Sequence, residues 1–382
     1  MKILVDEIIP KTKALFSPHG EVKTFSGRDI SSEDLTDIDA LLVRSVTPVT
    51  AELLAGSSVK FVGTSTIGTD HIDLNYLQDN KIGFASAPGC NAIAVAEYIL
   101  SGLFVISKEY NVDLRTIKVG IVGAGNVGSA LATRLGIVGI PYGLYDPPLH
   151  EIGDHREMIT EEELAECDIL SIHVPLTTAE QSKYPTLQMV NSDFLDRMKA
   201  CRYLFNTSRG AVVSTNDLCA WLKATNERQA IIDVWENEPD IDQQFLNETL
   251  ISTPHIAGHT YEGKVRGCLM LYLAFCQHFQ LQADFDKEAL LTENSPKDMI
   301  QLQQDLNYMQ AMSAAIWNVY DIRDDDKALR AGINRDMSSH FDRLRRGYKM
   351  RRECSAHRLD ELSAPDGALK TLKQLGFKVQ NS

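Results

Sequence analysis

An apolar run at residues 117–122 opens directly onto Gly123-Ala-Gly125-Asn126-Val127-Gly128 and then onto Ser-Ala-Leu-Ala-Thr-Arg-Leu. No other stretch of the chain constrains its fold as tightly. A buried strand that must turn at once into a helix needs one glycine for the turn, a second where a ligand phosphate approaches the backbone, and a third where helix and strand pack closely. The free amides at the start of such a helix attract a pyrophosphate. The next strand ends at Asp146, near the interval of about 20 residues expected for a carboxylate that accepts from a ribose 2′-hydroxyl. Its charge would repel a 2′-phosphate, so the segment is expected to bind NAD rather than NADP.

The surrounding pattern agrees with this reading. Further strand-like runs at 143–145, 169–173, 203–206 and 230–234 alternate with helical segments, which predicts a doubly wound parallel sheet. Ahead of it, the short apolar runs 2–5, 40–43 and 60–62 describe a smaller α/β unit. A long helix over about residues 92–110 joins the two, and a second apolar helix, roughly 263–279, has no strand of its own to cover. Its expected place is back on the first unit. The first domain is therefore predicted to be discontinuous, over 1–93 and 255–285, with the nucleotide domain 94–254 inserted and a ligand cleft at the hinge. Residues 286–382 form a third, smaller module in this reading.

Composition narrows the function. The 382 residues carry 38 Lys and Arg against 52 Asp and Glu, a net charge of -14, which repels nucleic acid and anionic lipid alike. An anionic substrate would then need a local basic pocket. The seven cysteines show no C-x-x-C pair and no metal-ligand spacing, so reduced thiols, no metal and a cytoplasmic protein are expected. The first seven residues turn acidic by the sixth and do not read as a signal peptide. The apolar stretch 91–107 contains Glu97 and falls short of the roughly 20 residues of a bilayer span. It is expected to be a buried helix.

Three later segments carry chemistry: Asn206-Thr-Ser-Arg209-Gly210, Asp233-Val-Trp-Glu-Asn-Glu238-Pro239 and Thr253-Pro-His255-Ile-Ala-Gly258. Each follows or ends an expected strand, and ligands of open α/β sheets bind at the carboxyl ends of strands. All three are expected in one cleft. Taken singly, a Pro-His dipeptide or a glutamate before proline has a merely structural explanation. The joint occurrence behind a glycine loop resembles the D-2-hydroxyacid dehydrogenase family. That resemblance implies an NAD-dependent oxidoreductase with a flavodoxin-like substrate domain, an inserted Rossmann domain and a C-terminal dimerisation domain. Within it His255 would be the general base, Glu238 its orienting carboxylate and Arg209 the fork that grips the substrate carboxylate, roles this reaction needs in any case. Asp233 would anchor the nicotinamide carboxamide, with Val174 and Gly258 also on the cofactor.

The substrate is read from other segments. The runs around Arg44-Ser45, Thr66 and Ser86–Glu97, with Tyr320-Asp-Ile-Arg-Asp-Asp and Phe341-Asp-Arg-Leu-Arg-Arg-Gly-Tyr in the tail, resemble the branch acting on a 4-phosphorylated sugar acid. The resemblance implies substrate contacts from Ser45 and Thr66. Where its pattern has tyrosine after the P-H-I-A-G turn, this chain has His259, a shorter side chain that can carry charge. The alternatives are another member of the family, of phosphoglycerate type, and a non-enzymatic NAD sensor of corepressor type. The tail is expected to make a homodimer. Its basic run is expected to be one helix, with Arg345, Lys349 and Arg352 on one face and Phe341, Leu344 and Tyr348 on another, and to serve an active site.

Overall fold

The computed structural model of the chain describes residues 1–293 and 295–380. It divides into two compact units, of which the first joins Met1–Asn91 to the segment starting at Thr260. Its five parallel strands, β1 (Lys2–Asp6), β2 (Glu21–Phe25), β3 (Ala40–Val43), β4 (Phe61–Thr64) and β5 (Gly83–Ala85), lie in the order β2-β1-β3-β4-β5. This is the flavodoxin-like arrangement. The three inner strands are continuous apolar runs because both of their faces are buried. Edge strand β2 is not, and edge strand β5 spans only three residues, so the sequence pattern passed over both. Helix Tyr261–His278 returns to this sheet, where Phe275 meets Phe16 and Phe61 with ring centroids 5.2 and 6.0 Å apart.

The second unit joins Ala92–His259 to the segment starting at Ser295. Strands β6 (Val119–Val122), β7 (Tyr142–Tyr145), β8 (Ile169–Ile172), β9 (Tyr203–Asn206), β10 (Gln229–Ile232) and β11 (Ile251–Ser252) form one parallel sheet in the order β11-β10-β9-β8-β6-β7. Strand order reverses between β6 and β8, which opens a crevice beyond their carboxyl ends. The helix Ala92–Tyr110 that precedes the sheet is buried almost throughout its length, Glu97 included. Among the described residues no helix is long and apolar enough to cross a membrane.

The tail adds a three-stranded parallel sheet, β12 (Met299–Ile300), β13 (Arg358–Asp360) and β14 (Lys378–Gln380), in the order β12-β13-β14. It does not stand apart from the nucleotide-binding unit. Met312, Ile316 and Leu372 are buried in the same cluster as Leu100, Phe104 and Leu135, while Leu329 and Phe341 share another with Leu218 and Ile232. Asp326 accepts a hydrogen bond from the Ser252 amide at 2.7 Å and so covers the end of edge strand β11.

One expectation for the tail, that of a single basic helix, is corrected. Ahead of it, Asp324 to Asp326 lie within helix Ile322–Arg330, where Asp321 caps the Arg323 amide. Acids in a first turn oppose the positive end of the helix dipole and favour the helix. The basic run is not one helix, because helix Met337–Arg346 ends against Gly347. Tyr348 and Arg351 then turn inward, where the Asp325 carboxylate and two backbone carbonyls receive their polar groups.

Candidate active site

The glycine loop sits at the crevice where strand order reverses. Gly123 has a φ of +95°, and a Cβ there would lie 2.7 Å from the His173 carbonyl oxygen. A Cβ on Gly128 would lie 2.0 Å from the Gly123 carbonyl oxygen, whereas one on Gly125 would meet nothing within 4 Å. Two glycines thus allow close packing and the middle one leaves its backbone open to a ligand. Helix Asn126–Val138 begins immediately afterwards, with no side chain capping it among the described residues. Its first amides, those of Asn126 and Val127 included, fit a pyrophosphate.

Asp146 does more than the sequence implied. Its Oδ2 accepts from the Ala124 amide at 2.8 Å and its Oδ1 from the Leu149 amide at 3.0 Å. One carboxylate therefore ties the glycine loop to the end of β7 and caps the next helix. Arg156, which sequence reasoning missed, holds the carbonyl of the same residue, Ala124. Its Nη1 donates to the Ala124 carbonyl and to Ser129 Oγ, both at 2.7 Å, while Asp154 grips its Nε and Nη2. Val174 packs behind the loop, its Cγ1 3.1 Å from where a Gly123 Cβ would stand.

The three chemical segments are brought side by side by main-chain bonds that continue the sheet past its strands. The Asp233 amide donates to the Asn206 carbonyl at 3.0 Å, and the His255 amide donates to the Asp233 carbonyl at 2.7 Å. Asn206 folds its own turn by accepting from Ser208 N and Oγ and donating to the Arg209 carbonyl. Gly210 completes the fit. A Cβ there would fall 1.9 Å from the Trp235 carbonyl, so no larger residue lets the two loops meet.

Glu238 joins the second loop to the third. Its Oε1 accepts from the Trp235 amide at 2.9 Å and its Oε2 lies 2.7 Å from His255 Nδ1. Burial by itself would raise this carboxyl, but the charge of His255, its hydrogen bond and the charge of Arg345 together carry it below its ordinary value. The His255 side chain remains 34% exposed against 18% for Glu238, which leaves Nε2 open to a reactant. Arg345, in the last turn of helix Met337–Arg346, stands on the charged face that helical spacing marked out, though spacing alone did not place it beside Glu238. Arg346, beside it, is exposed and pairs with Asp342 at 3.5 Å.

Asp233 is buried, and its carboxyl is raised by burial against the pull of His255 and its hydrogen bonds. Oδ1 accepts from Thr253 Oγ1 at 2.6 Å and from the Ile256 amide at 2.8 Å, and Oδ2 from the Ala257 amide at 3.0 Å. Its first work is thus to pin the turn from His255 to Gly258. His259 follows, its ring edge-on to Tyr348 with centroids 5.8 Å apart.

In the first unit, Ser45 and Thr66 follow β3 and β4 at the carboxyl edge of that sheet. Thr66 Oγ1 donates to the Gly68 carbonyl at 3.1 Å, and Arg44 Nε donates to buried Asp6 at 2.9 Å. Burial, with the charge of Arg44 beside it, brings the Lys264 ammonium down to about 8. Among the described residues no cluster of His, Cys, Asp and Glu could hold a metal ion.

The chain is similar to known proteins over its whole length. Residues 95–257 match the family described as D-isomer specific 2-hydroxyacid dehydrogenase, NAD binding domain, and residues 291–376 match a domain of unknown function. The erythronate-4-phosphate dehydrogenase of Proteus mirabilis is 43% identical over 93% of this chain and 94% of its own length. That of Yersinia enterocolitica is 41% identical, with both chains covered in full. Among solved structures, NAD+-bound 3-phosphoglycerate dehydrogenase from Entamoeba histolytica matches with a TM-score of 0.61 at 25% identity, covering 73% of this chain and 95% of its own.

Proposed function

Because the chain belongs to the erythronate-4-phosphate dehydrogenases, within the D-isomer-specific 2-hydroxyacid dehydrogenases, we propose that it oxidises 4-phospho-D-erythronate at its 2-hydroxyl. The product is 2-oxo-3-hydroxy-4-phosphobutanoate, and the step belongs to the synthesis of pyridoxal 5′-phosphate. The observation that carries this reading is the His255–Glu238 pair at 2.7 Å, beside the loop of Arg209 and on an NAD-binding sheet.

NAD, when bound, accepts the hydride that leaves C2. The glycine loop and the first amides of helix Asn126–Val138 would hold its pyrophosphate, Asp146 its ribose, and Asp233 its carboxamide through the one lone pair of Oδ2 that the His255 turn leaves open. Val174 and Gly258 border the same crevice. Glu238 accepts from Nδ1–H of His255 and thereby makes Nε2 the acceptor nitrogen. His255 takes the hydroxyl proton there while Glu238 stabilises the imidazolium that forms, as a triad carboxylate does. Arg209 holds the substrate carboxylate in its fork. Ser45, Thr66 and His259 contact the remaining hydroxyls and the phosphate, with Arg44 and Lys264 as nearby cations in the first unit.

A homodimer and a cytoplasmic site of action complete the proposal. Both follow from the resemblance of the tail and of the whole chain to this branch. Sedimentation of the full chain should give the mass of two copies. Purified protein should form NADH from 4-phosphoerythronate and lose that turnover in His255→Ala, whereas retained turnover in the variant would remove His255 as the base.

A further inference from the structure

Arg351 belongs to a basic run that would ordinarily lie in solvent, yet only 9% of it is exposed. Its guanidinium lies 3.8 Å from the centre of the Tyr320 ring. Its Nη2 donates to the Ala94 carbonyl at 2.9 Å and also to the Ala257 carbonyl. Around it, the Asp325 carboxylate accepts from the Tyr320 and Tyr348 hydroxyls, both at 2.8 Å, and the Glu97 carboxylate accepts from the Cys354 amide at 3.2 Å. A buried arginine so surrounded is fixed in place.

The carbonyl it grips belongs to the turn that carries His255. That histidine has a φ of +55°, a strained conformation for a side-chain-bearing residue that persists only where neighbouring contacts hold it. Asp233 holds the donors of the turn, accepting from the amides of Ile256 and Ala257 and, through its carbonyl, from that of His255. Arg351 holds an acceptor of the turn from the other direction.

We propose that Arg351 is a positioning residue for the dehydrogenase reaction: by gripping the Ala257 carbonyl it fixes the His255 turn, so that the imidazole stays on Glu238 with Nε2 presented to substrate. The proposal rests on the reading of His255 as the base. It makes the C-terminal domain part of the scaffold of the active site. Arginine is required because one planar group must stack on Tyr320 and reach two carbonyls at once, which a lysine ammonium cannot do.

The test uses full-length Arg351→Lys, which keeps the buried charge opposite Asp325 and Glu97, together with Tyr320→Leu, which removes the stacking surface and the hydroxyl that donates to Asp325 while leaving the Arg351 donors to Ala94 and Ala257 in place. For Arg351→Lys, kcat should fall at least about tenfold, as a displaced catalytic group would require, while the Kd for NAD stays within about twofold. Amides of Ile256 and Ala257 should exchange faster than in the wild type, while those of β6 to β10 keep their protection. Tyr320→Leu should move the same quantities less far. Wild-type kcat and unchanged exchange at Ile256 and Ala257 would overturn the proposal, as would a loss shared evenly by NAD binding and the protection of the whole sheet. His255→Ala in the same assay separates the two readings. If it keeps turnover, the assignment of the base fails, and the exchange of the turn amides still decides whether Arg351 holds them.

Discussion

His255 Nδ1 lies 2.7 Å from Glu238 Oε2, and Glu238 is itself fixed by accepting from the Trp235 amide. The carboxylate therefore has a set direction, and the histidine takes its orientation from it. Glu238→Gln should keep a hydrogen bond but lose the counter-charge of the imidazolium. The acidic limb of the kcat/KM profile should then move to lower pH, with kcat reduced. An unshifted limb would remove the pairing.

Arg345→Met should shift the same limb the other way. Arg345 favours the Glu238 carboxylate, a group whose folded pKa is lowered, so its ionised form is kept at neutral pH and lost as pH falls. Without Arg345, Glu238 takes up its proton at higher pH and the imidazolium loses a like-charged neighbour, and both effects raise the limb. Arg346→Met, whose side chain is exposed, should leave the profile unchanged, as ion pairs of exposed side chains contribute at most about 1 kcal/mol. Matching profiles for the two variants would place Arg345 away from the reaction.

Much of this was legible in the sequence for a physical reason. Strands buried on both faces are continuous apolar runs, so β1, β3, β4 and the inner strands of the larger sheet stood out, and glycine needed for close packing cannot be exchanged for anything larger. Edge strand β2 mixes polar and apolar residues and edge strand β5 is only three residues long, so neither left such a mark. Arg345 was legible as part of a charged helical face, but Arg351 was hidden by its own neighbours, for in a run of six basic residues nothing local distinguishes the one that tertiary contacts bury. Arg156 was hidden too, because its targets are a backbone carbonyl 32 residues away and a serine hydroxyl 27 residues away.

Asp146 carries both charge and two backbone hydrogen bonds, so its substitutions should separate these effects. Asp146→Asn keeps an acceptor oxygen and should relax the preference for NAD over NADP with a modest loss of NAD affinity. Asp146→Ala should relax it equally but weaken both cofactors, since the Ala124 amide loses its tether. Titration of each protein with NAD and NADP measures both numbers. Equal discrimination in all three proteins would mean that another group excludes the 2′-phosphate.

Removing residues 295–382 should not yield a soluble monomer. The cut strips Met312, Ile316 and Leu372 from a cluster they share with Leu100 and Phe104, and Leu329 and Phe341 from another. Each such side chain contributes about 1.5–3 kcal/mol when buried, and a folded domain has only about 5–15 kcal/mol in total. Aggregation on expression is the expected outcome. A soluble truncation with the thermal midpoint of the full chain would contradict the shared core.

The central claim concerns the substrate, and kcat/KM for 4-phospho-D-erythronate, 3-phosphoglycerate and D-lactate, each with NAD and the same purified protein, tests it most directly. The account predicts that 4-phosphoerythronate exceeds both others by at least about tenfold, the discrimination available from about 1.4 kcal/mol of differential binding in the transition state. A higher value for 3-phosphoglycerate, or no NADH formed from any of the three, would contradict it.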